Sequence, residues 1–337
     1  MQKYENYGSK PTRQGFGEAL LEMGKIYDNL VVLGADVSGS VLTSYFRDAY
    51  PERFFSIGIA EQNATTIAAG LALSGKKAVF SGYSAFVALR NADQLRISVC
   101  YNNVDVLIGG GHAGVTVGPD GATHQSLEEV SFLRTLPNMK LVIPCDYWQT
   151  KKATAALLKA GGPSYLRFGR PSVPMFTTED TPFEIGKADV YREGNDVALI
   201  ACGHLVWPAI LAAEELEKRH GIKARVINNH TVKPIDVVTI TNAANECGAI
   251  VTAEEHQIFG GMGSAVAEVV VKNCPVPMEF LGMKDTFGQS GEPEELLERY
   301  HLNWESIYNL ALKAIERKKS KNVSYLSPID YDVEFKD

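Results

Sequence analysis

Cysteine is scarce and scattered: residues 100, 145, 202, 247 and 274 are the only five, and none forms a CxxC pair. An odd, widely spaced set fits reduced, mostly buried thiols in a cytoplasm better than a disulfide framework or a zinc site. No apolar run reaches the length of a membrane span. The start, Met1-Gln2-Lys3-Tyr4-Glu5-Asn6-Tyr7, lacks the hydrophobic region of a secretory signal. Lysine and arginine number 33 against 40 aspartates and glutamates, a formal charge of -7. That deficit argues against nonspecific nucleic-acid binding, which needs a basic face, and leaves only local basic pockets open. Internal repeats and low-complexity tracts are also missing.

What remains is an ordinary globular balance, 45% hydrophobic and 22% charged over 337 residues. That length suits two domains better than one. Brief apolar runs bounded by turn residues read as buried strands at 30–34, 77–80, 104–108, 140–143 and 164–167. Helical patterns lie between them at 61–74, 86–100, 126–135 and 147–159. Such alternation predicts an α/β fold with a mostly parallel sheet covered on both faces. The stretch from Arg170 to Phe183 carries three prolines and reads as extended. A second alternating unit follows, with strands at 196–202, 223–228 and 249–253 and helices at 205–220, 235–245, 261–272, 296–300 and 304–318. The expected organisation is a first domain over 1–175, a linker over 176–190, a second domain over 191–320 and a polar tail over 321–337.

Gly58-Ile59-Ala60-Glu61-Gln62-Asn63 opens a run of small apolar residues ending at Gly75. Glu61 therefore stands at the mouth of a helix apolar almost all round, which predicts burial of its first turn. A poorly solvated carboxyl there favours its neutral form and exchanges protons near neutral pH. The plainer alternative is an exposed glutamate favoured by the helix dipole.

Gly109-Gly110-Gly111-His112-Ala113-Gly114 matches GxGxxG after a strand, but the continuation Val115-Thr116-Val117-Gly118-Pro119-Asp120-Gly121 cannot be the helix a dinucleotide site requires. The stretch reads instead as a glycine-permissive active-site loop displaying His112, Asp120 and His124; a turn with self-satisfied side chains is the alternative. Tyr83, Phe86 and Arg90 form a third group, two aromatics near a helix start. Arg13, Arg167 and Arg170 are candidate anion anchors, since guanidinium groups suit bidentate phosphate contacts. In the second unit, Glu254-Glu255-His256 precedes the glycine-rich helix start Gly260-Gly261-Met262-Gly263, a place for an anion or for packing on the first unit.

Five motifs in order carry a resemblance: Gly34-Ala35-Asp36-Val37-Ser38, Gly58-Ile59-Ala60-Glu61-Gln62-Asn63, Tyr83-Ser84-Ala85-Phe86, Gly118-Pro119-Asp120-Gly121-Ala122-Thr123-His124-Gln125 and Asn229-His230-Thr231-Val232-Lys233-Pro234-Ile235-Asp236. Together they resemble the C-terminal portion of transketolase and, more distantly, 1-deoxyxylulose-5-phosphate synthase, from about Thr12 to about Leu310. The resemblance implies a pyrimidine-binding domain followed by a transketolase C-terminal domain. The family's Gly-Asp-Gly…Asn magnesium motif is not found here, so it further implies the smaller subunit of a split transketolase. A separate N-terminal polypeptide would then carry the diphosphate and Mg2+ site, in an α2β2 assembly.

Thiamine diphosphate is the implied cofactor. Glu61 would share a proton with its pyrimidine N1′, Tyr83 and Phe86 would flank the ring, and Asp36 would lie on the thiazolium side. The resemblance puts His112 (proton transfer) and Asp120 near sugar hydroxyls, and Arg13, Ser40, His124 and Arg167 around a substrate phosphate, with Arg170 competing for Arg167's place. No metal ligand is expected in this chain. The implied reaction moves a two-carbon ketol unit between sugar phosphates, with sulfonated or branched sugars open as acceptors. The β subunit of a 2-oxoacid dehydrogenase, a 1-deoxyxylulose-5-phosphate synthase-like enzyme and a noncatalytic binding module are the alternatives.

Overall fold

The computed structural model describes residues 4–320. Its first sheet has seven strands in the spatial order Thr231–Lys233, Lys140–Val142, Ser164–Arg167, Val106–Gly111, Lys77–Tyr83, Leu30–Gly34, Phe54–Ser56. Every neighbouring pair is parallel except the first. Leu30–Gly34 shows why its strand reads as one apolar run. Val31 and Leu33 face the cluster containing Ala64, Ala68 and Val87, while Leu30 and Val32 face Phe16 and Leu157. Both sheet faces are covered by helices, so the period-two alternation of a half-exposed strand has no place here.

The helix Glu61–Leu73 packs on one face through Ala64, Ala68 and Ala69. Of the first turn expected to be buried, Glu61 is, but Gln62 and Asn63 are exposed; farther along Thr66 and Gly70 are exposed, and Leu73 is 68% exposed. The neighbouring helix expected over 86–100 is broken into Ala85–Arg90, Ala92–Gln94 and Leu95–Tyr101, the outer two with wide i→i+5 turns. Asn91 causes the break. Fully buried, it donates from Nδ2 to Thr65 Oγ1 at 2.8 Å and reaches Val87 O at 3.4 Å, so a polar side chain enters the helical ladder. The same bond ties this segment to the Glu61 helix.

The second sheet has five strands in the order Met278–Met283, Ile250–Gln257, Val197–Ala201, Ala224–Asn228, Asp189–Arg192. The last is antiparallel and the rest parallel. Helices Val206–His220 and Trp304–Lys319 cover one face, and Val237–Cys247 and Met262–Asn273 the other. The latter face is continuous with the first domain's core.

The proline-rich stretch contributes Ser172–Pro174, which pairs with Ser9–Pro11 inside the first unit. The expected division is crossed later in the chain. The Asn229–Asp236 motif, assigned to the second unit, sends Thr231–Lys233 back to the edge of the first sheet, antiparallel to Lys140–Val142. The expected tail, 321–337, lies outside the described residues. Among the described residues, no helix is long and apolar enough to cross a membrane.

Candidate active site

Most of the sequence-predicted residues converge at the carboxyl ends of the parallel strands, where open α/β sheets bind ligands. Asp36 follows Leu30–Gly34, Tyr83 ends Lys77–Tyr83, His112 follows Val106–Gly111, and Arg170 follows Ser164–Arg167. Arg13 joins them from the first turn of the helix Thr12–Ile26. Asp36 and His112 have φ of 59° and 55°, left-handed conformations costly for residues other than glycine and commonest where function demands them.

One corner is acidic and aromatic. Glu61 is 5% exposed although it opens its helix. Its Oε2 accepts from Arg90 Nη1 at 2.9 Å, and the same guanidinium lies 4.4 Å over the Phe86 ring. The wide turn Ala85–Arg90 brings Phe86 and Arg90 onto one face. The burial expected of Glu61 is there, and with it a cationic partner that the sequence did not announce. Tyr83 stands 6.3 Å from Phe86 and stacks on His112 at 4.4 Å, while His124 packs edge-on against Phe86 at 5.1 Å and Tyr83 at 5.8 Å.

The adjoining corner is cationic. Burial, followed by the nearby positive charge of Arg170, lowers the Arg13 guanidinium. Arg13 Nη1 donates to Ser40 O at 2.9 Å, so Ser40 contributes its carbonyl and not its hydroxyl. Arg170 Nη1 donates to Val117 O at 2.9 Å and sits 3.6 Å from Asp120 Oδ2, at 38% exposure. Burial, Arg13, Arg170 and His124 together push the His112 imidazole down to about 3, leaving it neutral at physiological pH. His112 Nδ1 and Arg13 Nε are buried without a hydrogen-bond partner. Asp36, by contrast, is exposed and accepts from Ser56 Oγ at 2.8 Å.

Arg167 does not reach this basin. It is 6% exposed, and its donors are taken by Glu129 Oε1 at 2.6 Å, Ser126 O at 3.1 Å and Glu255 O at 2.8 Å. Neighbouring Glu129 receives Ser84 Oγ at 3.1 Å, and Ser84 lies 2.6 Å from Tyr165 Oη, so the loop rests on a buried polar network. Glu129 escaped sequence reasoning because it reads as an ordinary residue of a helix's first turn. Arg90 was visible, four positions after Phe86, but nothing in the spacing paired it with Glu61. Glu254 fills the glycine-rich helix start itself, accepting from Met262 N at 2.7 Å and Gly263 N at 2.8 Å. No room is left there for an external anion.

Residues 9–175 match the transketolase pyrimidine binding domain, and residues 186–307 the transketolase C-terminal domain. The chain belongs to the transketolase family. A 6-deoxy-6-sulfo-D-fructose transketolase subunit of a Clostridium species is 39% identical over 306 residues, covering 91% of this chain and 95% of that one. An apulose-4-phosphate transketolase subunit of Phocaeicola vulgatus is also 39% identical over 306 residues, covering 90% and 97%. Among solved structures, a split gene transketolase described as an inactive β4 tetramer superposes with a TM-score of 0.85 at 40% identity, over 93% of this chain and 100% of that chain. Two transketolase subunits with different named sugars stand at one identity, so similarity alone does not choose a substrate for this one.

Proposed function

We propose that this chain is the C-terminal subunit of a two-chain, thiamine-diphosphate-dependent transketolase that moves a ketol unit from a ketose phosphate to an aldose phosphate. The observation carrying this reading is the meeting, across Tyr83 and Phe86, of a buried carboxylate and a paired-guanidinium basin. A proton-exchanging ring and a phosphorylated sugar would need those two environments side by side.

The residues present fit the cofactor. Arg90 puts a flat, nitrogen-bearing cation between the Glu61 carboxylate and the Phe86 ring, the chemistry an aminopyrimidine would bring to the same place. Thiamine diphosphate, when bound, supplies the nucleophilic carbon that carries the two-carbon unit. Glu61 would hold and exchange a proton at the pyrimidine nitrogen, and a glutamine could not. Phe86 and Tyr83 would flank the ring, with Asp36 on the thiazolium side of the cofactor. Arg13 and Arg170 would clamp the substrate phosphate, which relieves their mutual repulsion. His124 and the Ser40 segment border that clamp. His112 and Asp120 would face sugar hydroxyls, the neutral imidazole moving a proton and the carboxylate orienting a hydroxyl. Mg2+ and the diphosphate fall to the N-terminal partner.

Association follows from the same surfaces. Ile59, Leu73, Leu89, Ile97 and Tyr101 are exposed at 76%, 68%, 39%, 41% and 82% on and beside the two helices framing Glu61. Apolar exposure of that kind marks an interface, which suits an α2β2 complex. Mixing this chain with its N-terminal subunit, Mg2+ and thiamine diphosphate tests the reading. Ketol transfer is expected, with Glu61→Ala nearly inactive but normally assembled. Full activity of that variant, or pyruvate decarboxylation without transfer between sugars, contradicts it.

A further inference from the structure

The acidic pair Glu254-Glu255 divides its work. Glu254 caps the helix that follows it, but Glu255 points the other way, out of the second domain and into the first. Its Oε1 accepts the Thr116 N–H at 2.7 Å, in the middle of the loop that carries His112, Asp120 and His124. The approach is close enough to dictate sequence. Gly114 has φ of 84°, and a Cβ there would lie 2.2 Å from Glu255 Oε1. Glu255 is 3% exposed, with His204 Nδ1 3.5 Å from its other oxygen. Arg167 binds the carbonyls of both Glu255 and Ser126, joining the same strand to the loop's exit. Farther along, Gln125 Nε2 donates to Val115 O at 3.1 Å and to Gln289 O at 2.9 Å, a second tie to the C-terminal domain.

We propose that Glu255 is a positioning residue: from the second domain, its carboxylate holds the 112–125 loop in the shape that presents Arg170, His112 and Asp120 to a phosphorylated substrate. The path is short. Thr116 precedes Val117, whose carbonyl receives Arg170, so moving the Thr116 peptide moves the guanidinium. Glu61 and Phe86 sit on other elements; Glu61 is held by Arg90, and the loop meets Phe86 through His124, eight positions beyond Thr116. The C-terminal domain thereby acts on substrate binding without contributing a group that touches substrate. The inference rests on the transketolase reading for the substrate, but not for the clamp itself.

Glu255→Ala, Glu255→Gln and Glu255→Asp are made in the full chain and compared with wild type in two measurements. In amide hydrogen exchange on the chain alone, Glu255→Ala is expected to raise exchange across 112–125 about tenfold or more, with the Leu30–Gly34 strand unchanged. In the complex with the N-terminal subunit, KM for the ketose phosphate is expected to rise about tenfold or more, while thiamine diphosphate affinity stays within about twofold. Glu255→Gln retains an oxygen for Thr116 N–H and should recover most of both. If Glu255→Ala fails to fold, Glu255→Asp carries the test, because its shorter side chain keeps the charge but cannot reach Thr116. Unchanged loop exchange in Glu255→Asp overturns the clamp, and so does a loss of cofactor affinity that matches the rise in KM. If the wild-type complex shows no ketol transfer, the functional reading fails, and the exchange measurement still decides the clamp.

Discussion

Arg90 bridges Glu61 and Phe86, its Nη1 2.9 Å from the Glu61 carboxylate and its guanidinium 4.4 Å over the ring. An aminopyrimidine sharing a proton with Glu61 and stacking on Phe86 would compete with it for both partners. Arg90 is half-exposed on a long side chain and can leave; Glu61, nearly fully buried, cannot. Replacing Arg90 with methionine is therefore expected to tighten thiamine diphosphate binding by the assembled complex. It should also destabilise the isolated chain, because the buried Glu61 carboxylate loses its cation. Calorimetric titration reads the first and thermal melting the second. Weaker cofactor binding by Arg90→Met would make Arg90 a partner in the bound state instead.

Glu61→Gln separates proton exchange from shape. The amide fits the same space but cannot lend a proton to a ring nitrogen. Ketol transfer should fall by about 100-fold or more, with sedimentation of the mixed subunits unchanged. A variant within about threefold of wild type would remove Glu61 from the chemistry.

Arg167 and Arg170 stand three residues apart and should fail in opposite ways. Arg167→Met leaves Glu129, which is fully buried, without its cation; uncompensated buried charges of this kind cost about 3–5 kcal/mol. Denaturant unfolding should show that loss. Arg170→Met should leave stability nearly unchanged and raise KM for a phosphorylated sugar, with a smaller effect on an unphosphorylated one. Equal effects on both sugars would argue against a phosphate clamp.

Stability should fall on mild acidification. His112 is pushed down to about 3 and His230 to about 4, each chiefly by burial. Both lie below the unfolded value of about 6.5, so between those limits the unfolded chain binds more protons and stability rises with pH. The melting temperature should drop as pH falls from about 6.5 toward 4, and His112→Asn should flatten the slope. A slope unaffected by that substitution would mean His112 is not the buried neutral group described.

The alternation of strands and helices was legible because buried parallel strands such as Leu30–Gly34 are short apolar runs between turn residues. Edge strands were not. Phe54–Ser56 and Thr231–Lys233 are three residues each, and the latter pairs far from its neighbours in sequence. Glu61, Tyr83, Phe86, His112 and His124 could be read from their motifs, and the structure brings them together. Arg167 was misplaced because an arginine at a strand end looks alike whether it faces solvent or a buried glutamate; only the fold sets Glu129 beside it. Glu255 was visible as part of an acidic pair, but its contact with Thr116 spans 139 positions, and no local pattern encodes that.

The most direct measurement is a crystal structure of the two-chain complex with thiamine diphosphate. The account predicts a Glu61 oxygen within hydrogen-bonding distance of the pyrimidine N1′, the ring against Phe86, and Arg90 turned away from both. A cofactor bound elsewhere, or Glu61 still paired with Arg90 beside an occupied site, would contradict it.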